Sequence, residues 1–293
     1  MNFLKLLTEL ISLILYGYYD GFSKSLLYKN STVIKIYEEN VVLHAFKPEP
    51  YVVSSYVVEL KSKLIVFDMQ YETQNAKNFL DYCKTLNKPI DRIILSHYHF
   101  DHWLGASVFK DEAPIFALNE TIDQINEIYI KRKENGFKLA AVDFLKYVKV
   151  IKEHSENIDG VEFIFEKILN GENPITLITR MPCIKTMIVG DLVYNKFYMY
   201  VGEVVNIDTW IAVLEYFQTN FLYNHILVGH GDPVGQTAFY ENINYLKYVK
   251  SVSENFKTLD EYRSSIFQKY PNYGNPGIVN CPFTNFTCPY GTF

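Results

Sequence analysis

Three histidines and an aspartate fall within six residues of this chain. The segment reads HYHFDH and spans residues 97–102, directly after the run RIILS at 92–96. That run is short and rich in leucine and β-branched residues, which is typical of a buried strand. Neutral imidazole is the commonest metal ligand in proteins, and zinc favours nitrogen and oxygen ligands of this kind. The spacing therefore predicts a metal site at the end of a strand.

The order of residues within the segment favours two metals over one. His97 and His99 are two positions apart, so both would face the same way if strand geometry continued through them. Asp101 and His102 follow and would turn toward a second point. The chain has only 7 histidines, and a solvated polar loop would not need such a concentration of them.

Three further metal-binding side chains stand where a β-rich run ends. Asp68 ends KLIVFD, Asp191 ends KTMIVGD, and His230 ends HILVGH. Catalytic groups are often found at such junctions between a strand and a loop. A single aspartate at such a place is usually a turn or capping residue. In combination with the HYHFDH segment, however, we expect Asp191 and His230 to be ligands.

Apolar runs alternate with amphipathic segments and predict a layered α/β domain. The first half begins with four strands in series over 33–68, followed by a helix over 73–87. A long polar helical region over 119–147, broken near Gly136, separates the two halves. The second half returns to strands, expected at 161–166, 175–179, 185–191 and 225–229, and to helices, the first capped by Asp208.

The ends of the chain set the expected domain limits. We expect a helical segment over 1–32, the main domain over 33–256, and a C-terminal helix with a Pro/Gly-rich tail over 257–293. The N-terminal apolar stretch is too short and too interrupted for a transmembrane span. The chain is expected in the cytoplasm, unless residues 1–25 act as a signal for secretion or for the periplasm.

The composition limits the classes of binding partner expected for this protein. A net charge of −5 argues against a nucleic-acid binder, because phosphate contact relies on clustered lysine and arginine. The expected partner is a small-molecule substrate, and the oligomeric state is left open. The 4 cysteines contain no CxxC pair and do not indicate a disulfide scaffold. Cys281 and Cys288 would pair in an oxidising compartment and would otherwise be free thiols.

Taken together, the motifs resemble those of the metallo-β-lactamase-fold superfamily. They match its HxHxDH, GD and GHG signatures in the family's order, at Asp68, His97, His99, Asp101, His102, Gly190–Asp191 and Gly229–Gly231. The resemblance covers roughly residues 33–250. It implies a four-layer αββα sandwich that holds two metals, usually zinc, at one edge of its sheets.

The resemblance also implies a division of the ligands. His97 and His99 would hold the first metal, and Asp191 would bridge to the second. The second metal would be held by Asp101, His102 and His230, with Asp68 orienting the histidines from outside the ligand set.

One position departs from the family pattern. The family usually has a further histidine some twenty residues before the GD motif, and the residue here is Glu172, within NGENPIT at 170–176. Glutamate can ligate zinc through oxygen at a distance similar to that of histidine nitrogen. Two alternatives follow. Either Glu172 completes the first site, or it points elsewhere and that site is weak or empty.

The expected chemistry follows from the metals. Zinc lowers the pKa of a shared water, so that hydroxide is present at neutral pH to attack a carbonyl. Asp101 would orient the water and accept its proton. Tyr194 lies three residues after Asp191, an offset at which lactonase members of the family also have a tyrosine. It would donate a hydrogen bond to the substrate carbonyl or protonate the leaving group.

We therefore expect a metal-dependent hydrolase of an ester, lactone or β-lactam-like amide, with one or two zinc ions per chain. The alternatives are a thioester hydrolase of the glyoxalase II type, and a non-catalytic member that binds a metal or ligand through a degenerate first site. Flavodiiron relatives have glutamate at the second histidine of the motif. That position is His99 here, which argues against them.

Overall fold

Two β-sheets face each other, and α-helices cover their outer faces. The computed structural model describes residues 23–50, 53–134 and 142–282. The strands in this part of the chain are β1 (Ser23–Tyr28), β2 (Ser31–Glu38), β3 (Val41–Pro48), β4 (Ser55–Glu59), β5 (Leu64–Phe67), β6 (Ile90–Ile94), β7 (Ile115–Ala117), β8 (Val148–Val150), β9 (His154–Ile158), β10 (Val161–Leu169), β11 (Ile175–Met181), β12 (Thr186–Tyr194) and β13 (His225–His230).

The helices fall into two kinds. The α-helices of the described residues are α1 (Thr73–Thr85), α2 (Phe100–Trp103), α3 (Ala106–Phe109), α4 (Asn119–Glu134), α5 (Ile207–Asn220), α6 (Thr237–Ser253) and α7 (Leu259–Lys269). Short 3₁₀ helices span Val142–Tyr147, Pro182–Ile184 and Pro276–Asn280. Within the described ranges, no helix combines the length and the apolar character that crossing a membrane requires.

The two sheets are built mainly from sequential strands. The first has the order β1 to β8, antiparallel as far as β5 and parallel from β5 to β8. The second has the order β13-β12-β11-β10-β9, and only β12 and β13 are parallel in it. Parallel neighbours require a crossover, which α1 supplies between β5 and β6 and α5 between β12 and β13. The carboxyl ends of the two strands of each such pair therefore lie side by side at the same edge of the sheet.

Three apolar clusters define four layers. Between the sheets, Leu43 and Phe67 of the first meet Phe163 and Leu227 of the second. The outer face of the first sheet packs against α1, whose apolar residues recur with helical spacing at Ala76, Phe79, Leu80 and Cys83. The second sheet packs in the same way against α5 and α6, through Trp210, Leu214, Phe217, Phe239, Ile243 and Leu246. The predicted αββα arrangement is confirmed.

The N-terminal prediction is wrong where the structure describes it. Residues 23–32 were expected to be helical, but they form β1 and the start of β2. The physical reason is that buried and exposed side chains alternate here with the period of two of a strand. Leu26 and Tyr28 pack on the cluster beneath α1, while Leu27 is 75% exposed. The rest of that segment, residues 1–22, lies outside the described residues, as does Cys288.

Two local predictions were also wrong. The cap of α5 is Asn206 and not Asp208, since the Asn206 side chain accepts hydrogen bonds from the N–H groups of Asp208 and Thr209. The second concerns residues 152–157, where the polar sequence KEHSEN predicts an exposed loop. His154 is exposed, but it begins β9, which pairs with β10 despite its polar sequence.

A buried asparagine joins α6 to the end of β12. Asn242 Oδ1 accepts a hydrogen bond from the N–H of Tyr194 at 2.8 Å, and its Nδ2 donates to the carbonyls of Tyr194 and Ala238 at 2.9 and 2.8 Å. We expect Asn242→Leu to destabilise the protein by about 3 kcal/mol, because it leaves buried backbone groups unpaired. Urea unfolding measures this change.

The matched control is Asn255→Leu near the end of the same helix. Asn255 is exposed, and its Nδ2 donates to a single backbone carbonyl. This variant should change the free energy of unfolding by less than about 0.5 kcal/mol. Equal effects of the two substitutions would contradict the role given to Asn242.

Candidate metal centre

The metal-binding side chains predicted from the sequence converge where the parallel strand pairs end. The HYHFDH segment at 97–102 follows β6 as a loop that leads into α2, and Asp68 directly follows β5. In the second sheet, Asp191 lies in β12 and His230 is the last residue of β13. Strand geometry stops at Ile94 and does not continue through the histidines, so the loop brings them together.

His97, His99, Glu172 and Asp191 form a first group, whose candidate ligand atoms all lie within 4.8 Å of one another. Nε2 of His97 is 3.1 Å from Nδ1 of His99 and 3.7 Å from Oδ2 of Asp191. Nδ1 of His99 is 3.5 Å from Oε1 of Glu172. Ligands of a tetrahedral zinc ion with bonds of about 2.05 Å lie about 3.3 Å apart. The group has the spacing of one coordination shell.

Asp101, His102 and His230 form a second group. Oδ2 of Asp101 is 3.3 Å from Nε2 of His230 and 3.8 Å from Nε2 of His102. Asp191 faces this group as well, because its Oδ1 is 3.3 Å from Nε2 of His102 and its Oδ2 is 3.1 Å from Nε2 of His230. One carboxylate therefore stands between the two groups.

Several atoms of the two groups are buried and lack a hydrogen-bond partner. They are His102 Nε2, Glu172 Oε1 and Asp191 Oδ1. Leaving a buried polar atom unpaired costs about 1–3 kcal/mol, and more for a charged group. A divalent cation in each group would satisfy these atoms. The mixed imidazole and carboxylate set is one that zinc accepts.

Asp68 and Ser96 contact His97 and His102 on the side of each ring that faces away from the centre. Oδ2 of Asp68 accepts a hydrogen bond from Nδ1 of His102 at 2.7 Å, and its Oδ1 accepts one from the N–H of Ser96 at 2.9 Å. The Ser96 hydroxyl donates to Asp68 at 2.9 Å and lies 2.9 Å from Nδ1 of His97. This network leaves Nε2 of both histidines directed at the centre. Sequence reasoning placed Asp68 here but missed Ser96.

Glu203 is a second residue that sequence reasoning missed. Its Oε2 accepts hydrogen bonds from Nε2 of His99 at 3.1 Å and from the hydroxyl of Tyr98, and its Oε1 accepts one from Tyr200 at 3.4 Å. The proton on Nε2 of His99 directs Nδ1 toward Glu172. No motif spacing identifies Glu203. The available signal was a lone carboxylate within the aromatic run near the GD motif.

The protein's own charges shift the pKa values of these groups. Burial lowers the pKa of His97 well below its usual range, which favours the neutral form that ligates metals. Burial also lowers the pKa of His99, but the carboxylates of Glu172 and Glu203 outweigh it and raise this pKa to about 9. For Glu172, burial raises the pKa to about 8, against the attraction of His99.

Tyr194 reaches the centre from the end of β12. Its hydroxyl donates to Oδ2 of Asp191 at 3.2 Å, and its ring stacks on His230 with centroids 5.2 Å apart. Burial and the Asp191 carboxylate raise the pKa of Tyr194 well above its usual value. The phenol therefore keeps its proton at neutral pH and remains a hydrogen-bond donor.

A cleft of about 350 Å³ opens onto both groups. The polar part of its wall consists of His99, Asp101, Glu172, Asp191, Tyr194, His230 and Asn275. This volume is at the lower end of the range for small-molecule sites. The structure therefore brings all the predicted site residues together and makes most of them accessible to a small molecule.

Comparison with known proteins agrees with this architecture. A sequence model of the metallo-beta-lactamase superfamily matches residues 48–203. Among solved structures, the chain is similar to a metallo-beta-lactamase from Pontibacter korlensis, with 15% identity, a TM-score of 0.54, and coverage of 77% of this chain and 99% of that chain. A search of curated proteins gave no match.

Two further solved structures show the same likeness. The metallo-beta-lactamase FIM-1 from Pseudomonas aeruginosa, solved in its mono-zinc form, has 16% identity and a TM-score of 0.56, and the match covers 74% of this chain and 95% of that chain. The metallo-beta-lactamase from Erythrobacter litoralis has 12% identity and a TM-score of 0.57, with 76% and 99% coverage. At these identities the likeness shows the fold.

The first prediction from this geometry concerns metal content. We expect about two zinc or similar divalent ions per chain in protein purified without a chelator, because each group has a full set of donors. Elemental analysis measures this. His154→Ala removes an exposed histidine outside both groups and should keep both ions. Less than about half an equivalent after metal supplementation would contradict the assignment.

The second prediction concerns Glu172. We expect Glu172→Ala to lose one ion and keep the other, because Glu172 faces only the first group. Glu172→His should restore binding, since imidazole offers one donor at about the same metal distance. Calorimetric titration with zinc would follow both variants. Glu162→Ala, an exposed glutamate on β10, serves as the control.

Unchanged metal binding in Glu172→Ala would contradict this prediction. Wild-type stoichiometry and affinity in Glu172→Ala would remove Glu172 from the ligand set, and the first site would then rest on His97, His99 and Asp191 alone.

Proposed function

The chain belongs to the metallo-beta-lactamase superfamily, and from that premise we propose that it is a hydrolase that depends on divalent cations, with zinc as the expected metal. The observation that supports this most is the position of Asp191, shared by two groups of ligand atoms at the floor of a cleft. The proposed substrates are small molecules with an ester, lactone or β-lactam-like amide carbonyl.

The metal supplies one part of the chemistry. Divalent cations held by these side chains would lower the pKa of a coordinated water and polarise a carbonyl oxygen. His97, His99, Glu172 and Asp191 would hold one cation. Asp101, His102 and His230 would hold the other.

Asp101 is the proposed proton acceptor. It lines the cleft, and its side chain is 22% exposed, whereas most ligand candidates are more deeply buried. Burial raises the pKa of Asp101, but the neighbouring His102 and His230 outweigh it and hold the pKa below its usual value. The carboxylate is therefore ionised at neutral pH and can accept a proton from a water in the cleft.

Tyr194 is the proposed donor. Tyr194 lines the same cleft and its hydroxyl keeps its proton, so it can donate a hydrogen bond to a substrate carbonyl or to a leaving group. Asn242 fixes both backbone groups of Tyr194, which limits the positions that the ring can take. Because Asp191 accepts the phenol's hydrogen bond, a substrate oxygen would compete for that donor.

The proposed function is tested by hydrolysis of a panel of esters, lactones, β-lactams and thioesters with zinc-loaded protein. The thioesters decide between this proposal and a hydrolase of the glyoxalase II type. A zinc-loaded protein that hydrolyses no member of the panel would instead support a non-catalytic binding protein.

On any substrate found, we expect Asp101→Asn to lower kcat by about 100-fold or more, because the amide cannot accept the proton. Tyr194→Phe should lower kcat by about 10-fold or more, through loss of one hydrogen-bond donor. Tyr216→Phe, on an exposed tyrosine of α5, should behave as wild type. Steady-state kinetics should be accompanied by metal analysis. Most activity retained in Asp101→Asn, at unchanged metal content, would refute the role of Asp101.

A further inference from the structure

The cleft has an apolar side that the proposed chemistry does not use. It is formed by Tyr71, Phe100, Leu104, Tyr198, Tyr200 and Ile278. These residues come from four separate parts of the chain: the segment before α1, α2 with the residue that follows it, the segment after β12, and the 3₁₀ helix at Pro276–Asn280. Aromatic and aliphatic walls of this kind favour an apolar substituent, since burying apolar surface is favourable in proportion to its area.

The polar side of the cleft is strongly acidic. Five carboxylates lie at the centre or contact its histidines, namely Asp68, Asp101, Glu172, Asp191 and Glu203. The histidines are neutral when they ligate a metal. A cation in the first group would keep Glu172 ionised, so two divalent cations would leave about one negative charge uncompensated. With one cation the excess would be larger.

No lysine or arginine compensates this charge in the lining that the described residues provide. The lysines on neighbouring segments are engaged elsewhere. Lys47 pairs with Asp232, and Lys196 lies 3.3 Å from Glu241. A substrate carboxylate that lies in this cleft beyond the reach of the metal ions would lose its hydration without gaining a lysine or arginine as partner, which is unfavourable.

We propose that the substrate is an uncharged ester or lactone with an apolar substituent, and that the cleft discriminates against substrates that carry a carboxylate. This inference rests on the proposed hydrolase function and narrows it. It places carboxylate-bearing β-lactams among the poorer substrates of the panel. The uncompensated negative charge disfavours substrates that carry a carboxylate, and the aromatic wall provides affinity for the apolar substituent.

The kinetic test uses two esters with the same leaving group and the same acyl length. They are 4-nitrophenyl butyrate, which is uncharged, and 4-nitrophenyl hemisuccinate, whose acyl chain ends in a carboxylate. With the zinc-loaded full chain, we expect kcat/KM to be about 10-fold or more higher for the butyrate. Equal or higher kcat/KM for the hemisuccinate would overturn this inference and leave the hydrolase function intact. Hydrolysis of neither ester would also overturn this inference, whereas the hydrolase function falls only if no member of the panel is hydrolysed.

A charge change at the mouth of the cleft tests whether the negative charge of the cleft causes the preference for the uncharged ester. Tyr71 is 43% exposed and lines the cleft, so Tyr71→Lys would add a cation there. We expect it to reduce the preference for the butyrate by about fivefold. Tyr240→Lys makes the same change on an exposed tyrosine of α6 and should leave the preference unaltered. An equal shift in both variants would mean that overall charge, and not the cleft, sets the preference, which contradicts the proposal.

Binding gives a readout independent of turnover. The pair is 4-phenyl-2-butanone, which is uncharged, and 3-phenyl-1-propanesulfonate, a weak metal ligand with the same ring and a similar chain. Calorimetry with the zinc-loaded full chain should give a Kd about 10-fold lower for the ketone. Tighter binding of the sulfonate, or no binding of the ketone, would overturn the proposal.

Discussion

The buried carboxylate of Asp191 is the constraint on which the rest of this centre depends. Its two oxygens face His97, His102 and His230, and Tyr194 donates to it. A buried charge is costly unless it is paired and hydrogen-bonded, so these neighbours must be held close to it. The backbone of Gly229 also packs closely against this carboxylate, because a Cβ atom at Gly229 would lie 1.9 Å from Oδ1 of Asp191.

The fold meets this constraint through its few parallel strand pairs. Parallel neighbours end at the same edge, which brings β5 and β6 together in one sheet and β12 and β13 in the other. The pairing of β12 with β13 shifts register at Gly190 and again before Tyr194. Such irregularities redirect side chains, and Asp191 lies within the second one, between Gly190 and Tyr194. A regular ladder would send neighbouring side chains to opposite faces of the sheet.

Charge links the candidate ligand groups to the proposed choice of substrate. Glu172 and Glu203 both lie beside His99, and together they raise its pKa to about 9 despite its burial. Glu203, whose pKa is lowered despite burial by the hydrogen bond from His99, therefore adds a negative charge next to the first group. Glu172 adds another when a bound cation ionises it, at a position where the family pattern has a neutral histidine. The acidic centre and the aromatic wall meet in one cleft, so the candidate metal ligands also shape which molecules can approach them.

The sequence by itself determined the fold class, the strands that end at the centre and the types of the candidate metal-binding side chains. These features are local, because the HYHFDH segment and the apolar runs before Asp68, Asp191 and His230 can be identified within a few residues. Tertiary structure decided what depends on long-range contacts. It turned Glu172 toward His99, and it placed Glu203 against the same histidine from 104 residues away. It also paired β1 with β2 where the local pattern suggested a helix, because burial of alternate residues on a neighbouring layer outweighs local preference.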